Sequence, residues 1–186
     1  MLEQTIKLMI LLPPVFIGFA ISFLQQGLAH YSRTEDAAEF MNTSEKIIVY
    51  NSTDMSGVSC KVDAAGSVHK DKGNVSFNRT VYTTSGKNTT DCLFATVYGD
   101  TMYVGLCNET QDNTTEILLY QNGNCTCGVF DVAFSDTFSG WYELRVRASS
   151  LDSGPSNDCA EYFAKRTEDE NQTVYTGSAT ALPACL

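Results

Sequence analysis

The last third of the chain contains the segments that decide its fold. They read Cys127-Gly-Val-Phe-Asp-Val132, Trp141-Tyr-Glu-Leu-Arg-Val-Arg147, Asp158-Cys-Ala-Glu-Tyr-Phe163 and Val174-Tyr-Thr176, with Cys185 beyond them. The first two segments are typical of strands, because β-branched and aromatic residues recur in them. Residues 156–167 have a helical period instead, which gathers four side chains on one face: Cys159, Tyr162, Phe163 and Arg166. These segments predict strands followed by a helix that covers part of the sheet.

Strand-like runs separated by turn residues fill the region before these segments. They cover residues 46–53, 58–62, 74–84, 92–98, 101–107, 116–121 and 126–134, with turns at 54–57 and 63–66. Asn122-Gly123 predicts a tight hairpin between the last two runs. At the other end, Ser32-Arg-Thr-Glu35 has capping-box spacing and predicts a short helix over residues 36–41. About eight short strands at regular spacing predict one all-β domain, an antiparallel barrel or sandwich.

Residues 1–29 have the pattern of a secretory signal peptide. An apolar run over residues 8–24 follows Lys7 and precedes Gly27-Leu28-Ala29, a small-residue cleavage site. The alternative is a membrane anchor, since the run approaches the length of a spanning helix, but Pro13-Pro14 interrupts it. Removing the first 29 of 186 residues leaves 157, residues 30–186, which is the size of one domain.

Glycosylation sequons and charge indicate an extracellular protein. The sequence has seven cysteines and nine Asn-X-Ser/Thr sequons, at Asn42, Asn51, Asn74, Asn78, Asn88, Asn108, Asn113, Asn124 and Asn171. Both features are typical of the oxidising secretory route. The net charge of −10 repels nucleic acid and anionic lipid surfaces. We therefore expect a secreted protein with no nucleic-acid partner and no membrane partner after signal cleavage.

The cysteine spacing alone does not decide the pairing, because six cysteines allow fifteen connectivities and the seventh is left over. In a meander, Cys92 and Cys107 lie at equal distances from the Gly99-Asp100 turn and face each other across a hairpin. A strict two-residue turn puts them at a hydrogen-bonded pair, the poorer site for a bridge, and a four-residue loop would avoid this. Cys125 and Cys127 begin a strand at the opposite rim.

Signatures of enzymes, metal sites and cofactor sites are absent from the sequence. It has two histidines, His30 at the cleavage site and His69 in a predicted loop. No His-X-X-X-His, Gly-X-Ser-X-Gly or phosphate-binding glycine loop occurs, and Cys125-Thr-Cys127 lacks zinc or redox spacing. A serine or cysteine without a nearby histidine partner is a poor candidate for a nucleophile. We therefore expect a binding protein without catalytic residues, metal or cofactor.

Aromatic and acidic residues on the predicted strands are the candidate ligand-binding residues. An eight-stranded barrel has room for one small ligand. If glycosylation turns Asn51 outward, Ile47 and Val49 face outward with it, and Ile48, Tyr50 and Ser52 face inward. A buried carboxylate needs a cation or hydrogen-bond donor, which singles out two acids. The candidates are Tyr50, Phe94, Tyr98, Tyr103, Glu116, Tyr120, Phe130 and Glu143; ordinary packing is the alternative for each aromatic residue, and an exposed position for Glu116.

The C-terminal segments quoted above, together with residues 36–60, resemble the tick salivary lipocalins of the histamine-binding family. The resemblance implies an eight-stranded antiparallel barrel with a short N-terminal helix and a C-terminal helix on its wall. It also implies a secreted cup for a small molecule and the bridges Cys127–Cys159 and Cys60–Cys185. Cys92–Cys107 then becomes the third bridge, and Cys125 keeps its thiol.

The pattern of the family's amine-binding members is only partly present. Asp36-Ala37, Cys127, Val129 and Glu143-Leu144 match it, but Ala38, Gly128 and Arg145 stand where the pattern has Trp, Asp and an aromatic residue. An ammonium ligand is selected by acids and aromatic walls. These departures favour a neutral or anionic ligand.

The resemblance thus implies sequestration of a host lipid or sterol mediator to modulate inflammation and immunity. Two alternatives remain open. One is a histamine or serotonin scavenger acting through Glu116 and Glu143, and the other is an immunomodulator that binds a host protein. A cavity with a few converging polar groups would favour the small-molecule scavenger, whereas an interior filled by side chains would favour the protein-binding alternative.

Overall fold

The computed structural model describes residues 35–69, 73–137, 139–167 and 175–176. The predicted signal peptide, the Asn171 sequon and Cys185 lie outside these ranges. None of the helices within them is long and apolar enough to cross a membrane. All the described residues fall in one structural unit of the chain, residues 34–186.

Two α-helices, nine strands and one 3-10 turn form the described structure. The α-helices are α1 (Ala37–Met41) and α2 (Asn157–Thr167), and the 3-10 turn is Ala148–Ser150. The strands are β1 (Ile47–Ser52), β2 (Val58–His69), β3 (Asn74–Thr83), β4 (Asn88–Tyr98), β5 (Thr101–Leu106), β6 (Asp112–Gln121), β7 (Cys127–Phe134), β8 (Gly140–Arg147) and β9 (Tyr175–Thr176).

Strands β1 to β8 close into an antiparallel barrel. Each strand from β2 to β7 pairs with the strand that follows it in sequence. Strand β1 completes the circle by pairing with both β8 and β2. The short strand β9 adds to β1 through Asn51 and Ser52. Closure removes the exposed strand edges that an open sheet would leave. The predicted fold class, an eight-stranded barrel with a short N-terminal and a C-terminal helix, is confirmed.

Helix α1 lies at one end of the barrel and begins one residue after the predicted start at residue 36. Asp36 is its N-cap, since its carboxylate accepts a hydrogen bond from the backbone N–H of Glu39 at 2.9 Å. The N–H of Ala37 donates to the carbonyl of Gly99 in the β4–β5 turn. Ala37, Phe40 and Met41 are buried. Helix α1 therefore closes the end of the barrel at which β4 turns into β5.

Helix α2 begins one residue after the predicted start and packs on the outside of β6, β7 and β8. Cys159 and Phe163 are buried against the barrel wall. Tyr162 stacks on Tyr120, with ring centroids 5.0 Å apart, and the Arg166 guanidinium lies 5.3 Å from the Tyr142 ring centroid. The predicted helical face is thus the face that covers the wall.

The barrel has an apolar cluster on each side of its wall. The interior cluster includes Phe40, Ile47, Val75, Phe77, Leu93, Ala95, Val97, Met102, Val104, Leu118, Phe130 and Val132. The outer-wall cluster, beneath α2, comprises Ile48, Cys60, Val62, Cys127, Val129, Leu144, Val146, Leu151, Cys159 and Phe163. Alternate residues of β1, β7 and β8 belong to opposite clusters, as the two-residue period of a strand requires.

The facing of β1 is opposite to the predicted one over its first half. Ile47 belongs to the interior cluster and Ile48 to the outer-wall cluster, against which Tyr50 also packs. A bulge between Val49 and Asn51 shifts the register, so that Ser52 faces inward as predicted. The prediction was wrong for the stretch from Ile47 to Tyr50 because it extended a strict two-residue alternation back from an outward Asn51, and the bulge breaks that alternation.

Strand boundaries and one turn also differ from the sequence predictions. β2 continues through the predicted 63–66 turn to His69, and β6 begins at Asp112, inside the predicted loop. Asn122-Gly123 does not make a two-residue turn. Instead the Asn122 side chain accepts from the N–H of Thr126 at 2.8 Å, and Cys125 adopts a φ of 53°. A side chain that satisfies the backbone in this way stabilises a longer loop.

Two of the predicted disulfides are present. Cys92–Cys107 joins β4 to the end of β5, and Cys127–Cys159 joins β7 to α2. The Cys92–Cys107 bridge sits on a two-residue turn after all, and the N–H of Cys107 donates to the carbonyl of Cys92 at 3.0 Å. Cys60 is disulfide-bonded and Cys125 keeps a buried thiol. The predicted partner of Cys60, Cys185, lies outside the described residues, so that bridge stays a prediction.

The predicted glycosylation sites lie mostly on the surface. Six sequon asparagines are exposed: Asn42, Asn78, Asn88, Asn108, Asn113 and Asn124. Asn51 and Asn74 are half-buried, and the Asn51 Oδ1 atom is buried without a hydrogen-bond partner among the described residues. A glycan at Asn51 would therefore need a local rearrangement of β1, whereas the six exposed sites need none.

Candidate ligand-binding site: the barrel interior

The end of the barrel interior next to α1 is apolar and tightly packed. The Phe40 ring contacts the Phe130 ring edge to face, with centroids 5.2 Å apart. A Cβ atom added at Gly128 would lie 2.9 Å from Phe40 and 3.0 Å from Leu118. Phe40 and Leu118 therefore fill the space that a side chain at position 128 would need.

Beyond this apolar floor, six charged side chains from four strands meet inside the barrel. Lys61 and Asp63 are two residues apart on β2, as are Glu143 and Arg145 on β8, so each pair shares the inward face. The interior charge cluster comprises Lys61, Asp63, Arg79, Glu116, Glu143 and Arg145, all of them buried. It contains three bases and three acids, and its formal charge is balanced.

Arg79 on β3 links two of the acids. Its Nε and Nη2 atoms donate to the two carboxylate oxygens of Asp63 at 2.7 and 2.8 Å, and Nη1 donates to Oε1 of Glu116 at 2.7 Å. Such bidentate contacts use the planar fork of the guanidinium and fix its orientation. Arg79 is therefore held rigidly between β2 and β6.

Arg145 on β8 is the most enclosed of the cations, with no exposed surface. Its Nε donates to Oε2 of Glu143 at 2.8 Å. Its Nη2 lies 2.7 Å from Oε2 of Glu116 and 2.6 Å from Oε2 of Glu143, in ion-pair contact with both although the angles do not suit hydrogen bonds. The guanidinium carbon lies 4.1 Å from the Phe130 ring centroid. The Nη1 atom is buried and has no hydrogen-bond partner in the described part of the chain.

Lys61 on β2 binds the remaining oxygen of Glu143. Its Nζ donates to Oε1 of Glu143 and lies 5.1 Å from the Trp141 ring centroid. The Trp141 indole N–H donates to the same Oε1 atom at 2.7 Å. The ammonium of Lys61 thus sits on a carboxylate and over an aromatic face, the two groups that stabilise a cation best.

These contacts keep the buried acids ionised. Burial acts to raise the pKa of Glu116, but the charges of Arg145 and Arg79 outweigh it and lower the pKa to about 2. Burial likewise opposes ionisation of Glu143, and the charges of Lys61, Arg145 and Arg79 lower its pKa nonetheless. The pKa of Arg79 is raised well above its ordinary value, because the charges of Asp63 and Glu116 outweigh its desolvation. The cluster is therefore a set of compensated charges at neutral pH.

Small cavities border the charge cluster. One, of about 10 Å³, lies at the end away from α1 and is lined by Val49, Ser52, Asp54, Val58, Lys61 and Glu143. Another of about 10 Å³ is lined by Met41, Thr43, Ile47, Asp63, Ala64, Val75, Ser76 and Phe77. Each has room for about one water molecule. A larger ligand can use these two spaces only if interior side chains move.

The structure places three of the eight predicted ligand-binding residues in the interior: Glu116, Phe130 and Glu143. Phe94, Tyr98 and Tyr103 lie on the outer face of β4 and β5, with Tyr98 69% exposed. Their inward neighbours are Leu93, Ala95, Val97, Met102 and Val104. Tyr50 and Tyr120 pack against the outer-wall cluster. The expectation of an aromatic interior was wrong for these five residues, because aromatic content does not reveal which face of a strand is covered.

Sequence reasoning missed four members of the interior: Lys61, Asp63, Arg79 and Trp141. The sequence did contain one signal. Lys61 and Asp63 are two residues apart in an apolar strand, and Glu143 and Arg145 have the same spacing, so each pair lies on one face of its strand. Detecting it would have required knowing that β2, β3, β6 and β8 close into one barrel.

No sequence profile of a known protein family matches the chain, and no curated protein matches it by sequence. Solved structures do match. The chain is similar to AM182, solved as a serotonin complex, with 17% identity over 81% of this chain and 94% of that one, and a TM-score of 0.61. It is also similar to the siderocalin Ex-FABP, with 10% identity over 72% and 91% of the two chains and a TM-score of 0.53. Japanin from Rhipicephalus appendiculatus, bound to cholesterol, matches at 8% identity over 65% and 85%, with a TM-score of 0.48.

The closed barrel and the likenesses to AM182 and Ex-FABP together define the protein as one with a lipocalin fold. Neighbours of this fold bind small molecules in structures such as the serotonin complex of AM182.

Proposed function

We propose that this protein is a secreted lipocalin of the tick salivary type that sequesters a small host mediator, preferentially a lipid or sterol, and so modulates host inflammation and immunity. Export is supported by the signal-like N-terminus, the sequons and the disulfides. Sequestration needs no catalytic residues, and the sequence has no pattern typical of a catalytic site.

The observation that carries the ligand preference is the pairing inside the charge cluster. All three interior acids already contact an internal cation, so a ligand ammonium would have to compete with a tethered group. The buried Nη1 donor of Arg145, in contrast, has no hydrogen-bond partner among the described residues. A buried donor without an acceptor costs about 1–3 kcal/mol, which a ligand oxygen would recover. A carboxylate or hydroxyl group on an apolar body matches this interior.

The biogenic-amine alternative is supported by the fold, since the similar structure of AM182 is a serotonin complex. In this chain, however, Glu116 and Glu143 are both engaged by arginine, and Gly128 leaves no room for a further acid. We therefore expect histamine and serotonin to bind weakly.

The second alternative, a host protein bound by the outside of the barrel, is favoured by the small size of the two described cavities. The exposed aromatic side chains of Phe94, Tyr98 and Tyr103 on β4 and β5 would then contribute to the contact.

The test is side-by-side calorimetry of the secreted protein with a leukotriene, cholesterol, histamine and serotonin. The lipid-derived ligands should bind more tightly than the amines, whose dissociation constants should be micromolar or weaker. Arg145→Lys keeps the charge but removes the Nη1 donor, and it should weaken binding of the leukotriene carboxylate about tenfold. Lys165→Arg, on the exposed face of α2, is the matched control and should bind as the native protein does. Nanomolar histamine binding, or no small ligand at all, would reject the proposal.

A further inference from the structure

Lys61 occupies the position that an amine ligand would take in this barrel. Its Nζ atom contacts Oε1 of Glu143 and lies over the Trp141 ring, and the indole N–H holds that same oxygen at 2.7 Å. A carboxylate oriented by an indole N–H, with the ring face beside it, is a complete binding site for a primary ammonium. The site is filled by a side chain of the protein itself.

Lys61 differs from the two interior arginines in how firmly it is held. Arg79 and Arg145 each contact two acids through several nitrogens. Among the described residues, the Lys61 ammonium donates to one acceptor atom, Oε1 of Glu143, and it is carried on a flexible four-carbon stem. Another ammonium can therefore replace it without breaking the other contacts of the cluster.

Lys61 lies beside one of the two described cavities. Lys61 and Glu143 both line the cavity at the end of the barrel away from α1, together with Ser52 and the half-buried Asp54. Lys61 retains 6% exposure, whereas Glu143 has none. An acidic residue beside this cavity and a net charge of −10 attract ammonium ions toward it.

We propose that Lys61 is a tethered ammonium that fills an amine-binding site formed by Glu143 and Trp141, and that it is the residue that makes the barrel reject free primary amines. This inference rests on the proposed function, because it assigns the residue that sets the ligand class of that same interior. It predicts that shortening Lys61 converts the native protein into an amine binder.

The experiment uses Lys61→Ala, which deletes Cγ, Cδ, Cε and Nζ, and n-propylammonium, which has the same atoms. Millimolar n-propylammonium should raise the melting temperature of Lys61→Ala in a saturable way and leave the native protein unchanged. Serotonin should bind Lys61→Ala about 10- to 100-fold more tightly than the native protein, the gain expected for one charge-assisted contact. Neutral n-propanol is the control ligand and should have no such effect.

Three further variants make the result specific. Lys61→Arg keeps a cation in the site and should stay insensitive to n-propylammonium. Adding Glu143→Gln to Lys61→Ala should abolish the rescue, because the carboxylate is then absent. Lys61→Met keeps the stem to the length of Cε and vacates only the Nζ position, so ammonium chloride should stabilise it more than sodium chloride does.

The outcomes separate this inference from the proposed function. Lipid binding by the native protein with no amine gain in Lys61→Ala or Lys61→Met overturns the inference alone. Amine gain in the variants without lipid binding by the native protein supports the inference and rejects the lipid proposal. A variant that is unfolded in buffer but folds with n-propylammonium counts in favour, and one that stays unfolded in both counts against.

Discussion

The inner and outer faces of the same strands are built from different chemistry. On β8, Glu143 and Arg145 point into the barrel, whereas Leu144 and Val146 point out beneath α2. On β2, Asp63 faces inward while Val62 joins the outer-wall cluster. The outer wall is thus a hydrophobic core covered by a helix, and the middle of the interior is a balanced set of charges.

The two faces differ in how their burial affects stability. Burying apolar side chains beneath α2 stabilises the fold directly. A buried ion pair contributes little net stability over apolar residues of similar size, although removing one partner is costly. Under the proposed function, the six charges inside the barrel would select the ligand rather than add stability.

The largest effect should follow from removing the cation shared by two interior acids. Arg145→Ala leaves Glu116 and Glu143 without their common guanidinium, and we expect a loss of about 3–5 kcal/mol in the free energy of unfolding. Urea denaturation of the variant, with Lys165→Ala on exposed α2 as the control, measures it. A loss equal to that of the control would show that the interior charges do not depend on one another.

The next effect tests the covalent tether of the outer wall. Replacing both Cys127 and Cys159 by alanine opens a bridge with a sequence separation of 32 residues. The chain-entropy estimate for a loop of that length is about 3–4 kcal/mol. The double replacement of Cys92 and Cys107, with a separation of 15, should cost somewhat less, about 3 kcal/mol. Thermal unfolding of both variants measures the two losses of stability. A larger loss for the replacement of Cys92 and Cys107 would contradict the prediction.

A third test uses acid, which acts on the interior and not on the apolar wall. The folded pKa of Glu116 is about 2, below its ordinary value of 4.5. Its contribution, on the order of 3 kcal/mol, is therefore present above about pH 4.5 and lost as the pH falls toward 2. Urea midpoints at pH 6, 4, 3 and 2 should decline over this range. Constant stability from pH 5 to pH 2.5 would contradict the ionised cluster.

The smallest effect concerns the polar margin of the outer wall. The Tyr120 hydroxyl donates to Asp158 at 2.7 Å, in an exposed contact between β6 and α2. Tyr120→Phe keeps the stacking on Tyr162 and removes only this hydrogen bond, so we expect a loss of about 0.5–1 kcal/mol. Chemical denaturation beside Tyr98→Phe, an exposed tyrosine on β4, isolates the effect. A loss above about 2 kcal/mol would mean that the hydroxyl supports the docking of α2.

The sequence by itself determined the elements of the fold. Strand periodicity and turn residues predicted the strands, helical spacing predicted α2 to within one residue, and the equal distances of Cys92 and Cys107 from Gly99-Asp100 placed these two cysteines opposite each other, as the bridge between them requires. These are local patterns, in which the residues that interact are close in sequence or symmetric about a turn. Glu116 and Glu143 were identified because a carboxylate in an apolar strand needs a partner.

Only the tertiary structure decided which face of each strand is the interior. A bulge after Val49 and the cover supplied by α2 place Tyr50 and Tyr120 on the outer wall. Phe94 on β4 and Tyr98 at its end lie on the outer, exposed face. It also decided the partners of the two acids, since Lys61 and Glu143 are 82 residues apart in sequence. Closing the barrel brings such residues into contact, and the two-residue period of a strand is the same whichever face turns inward.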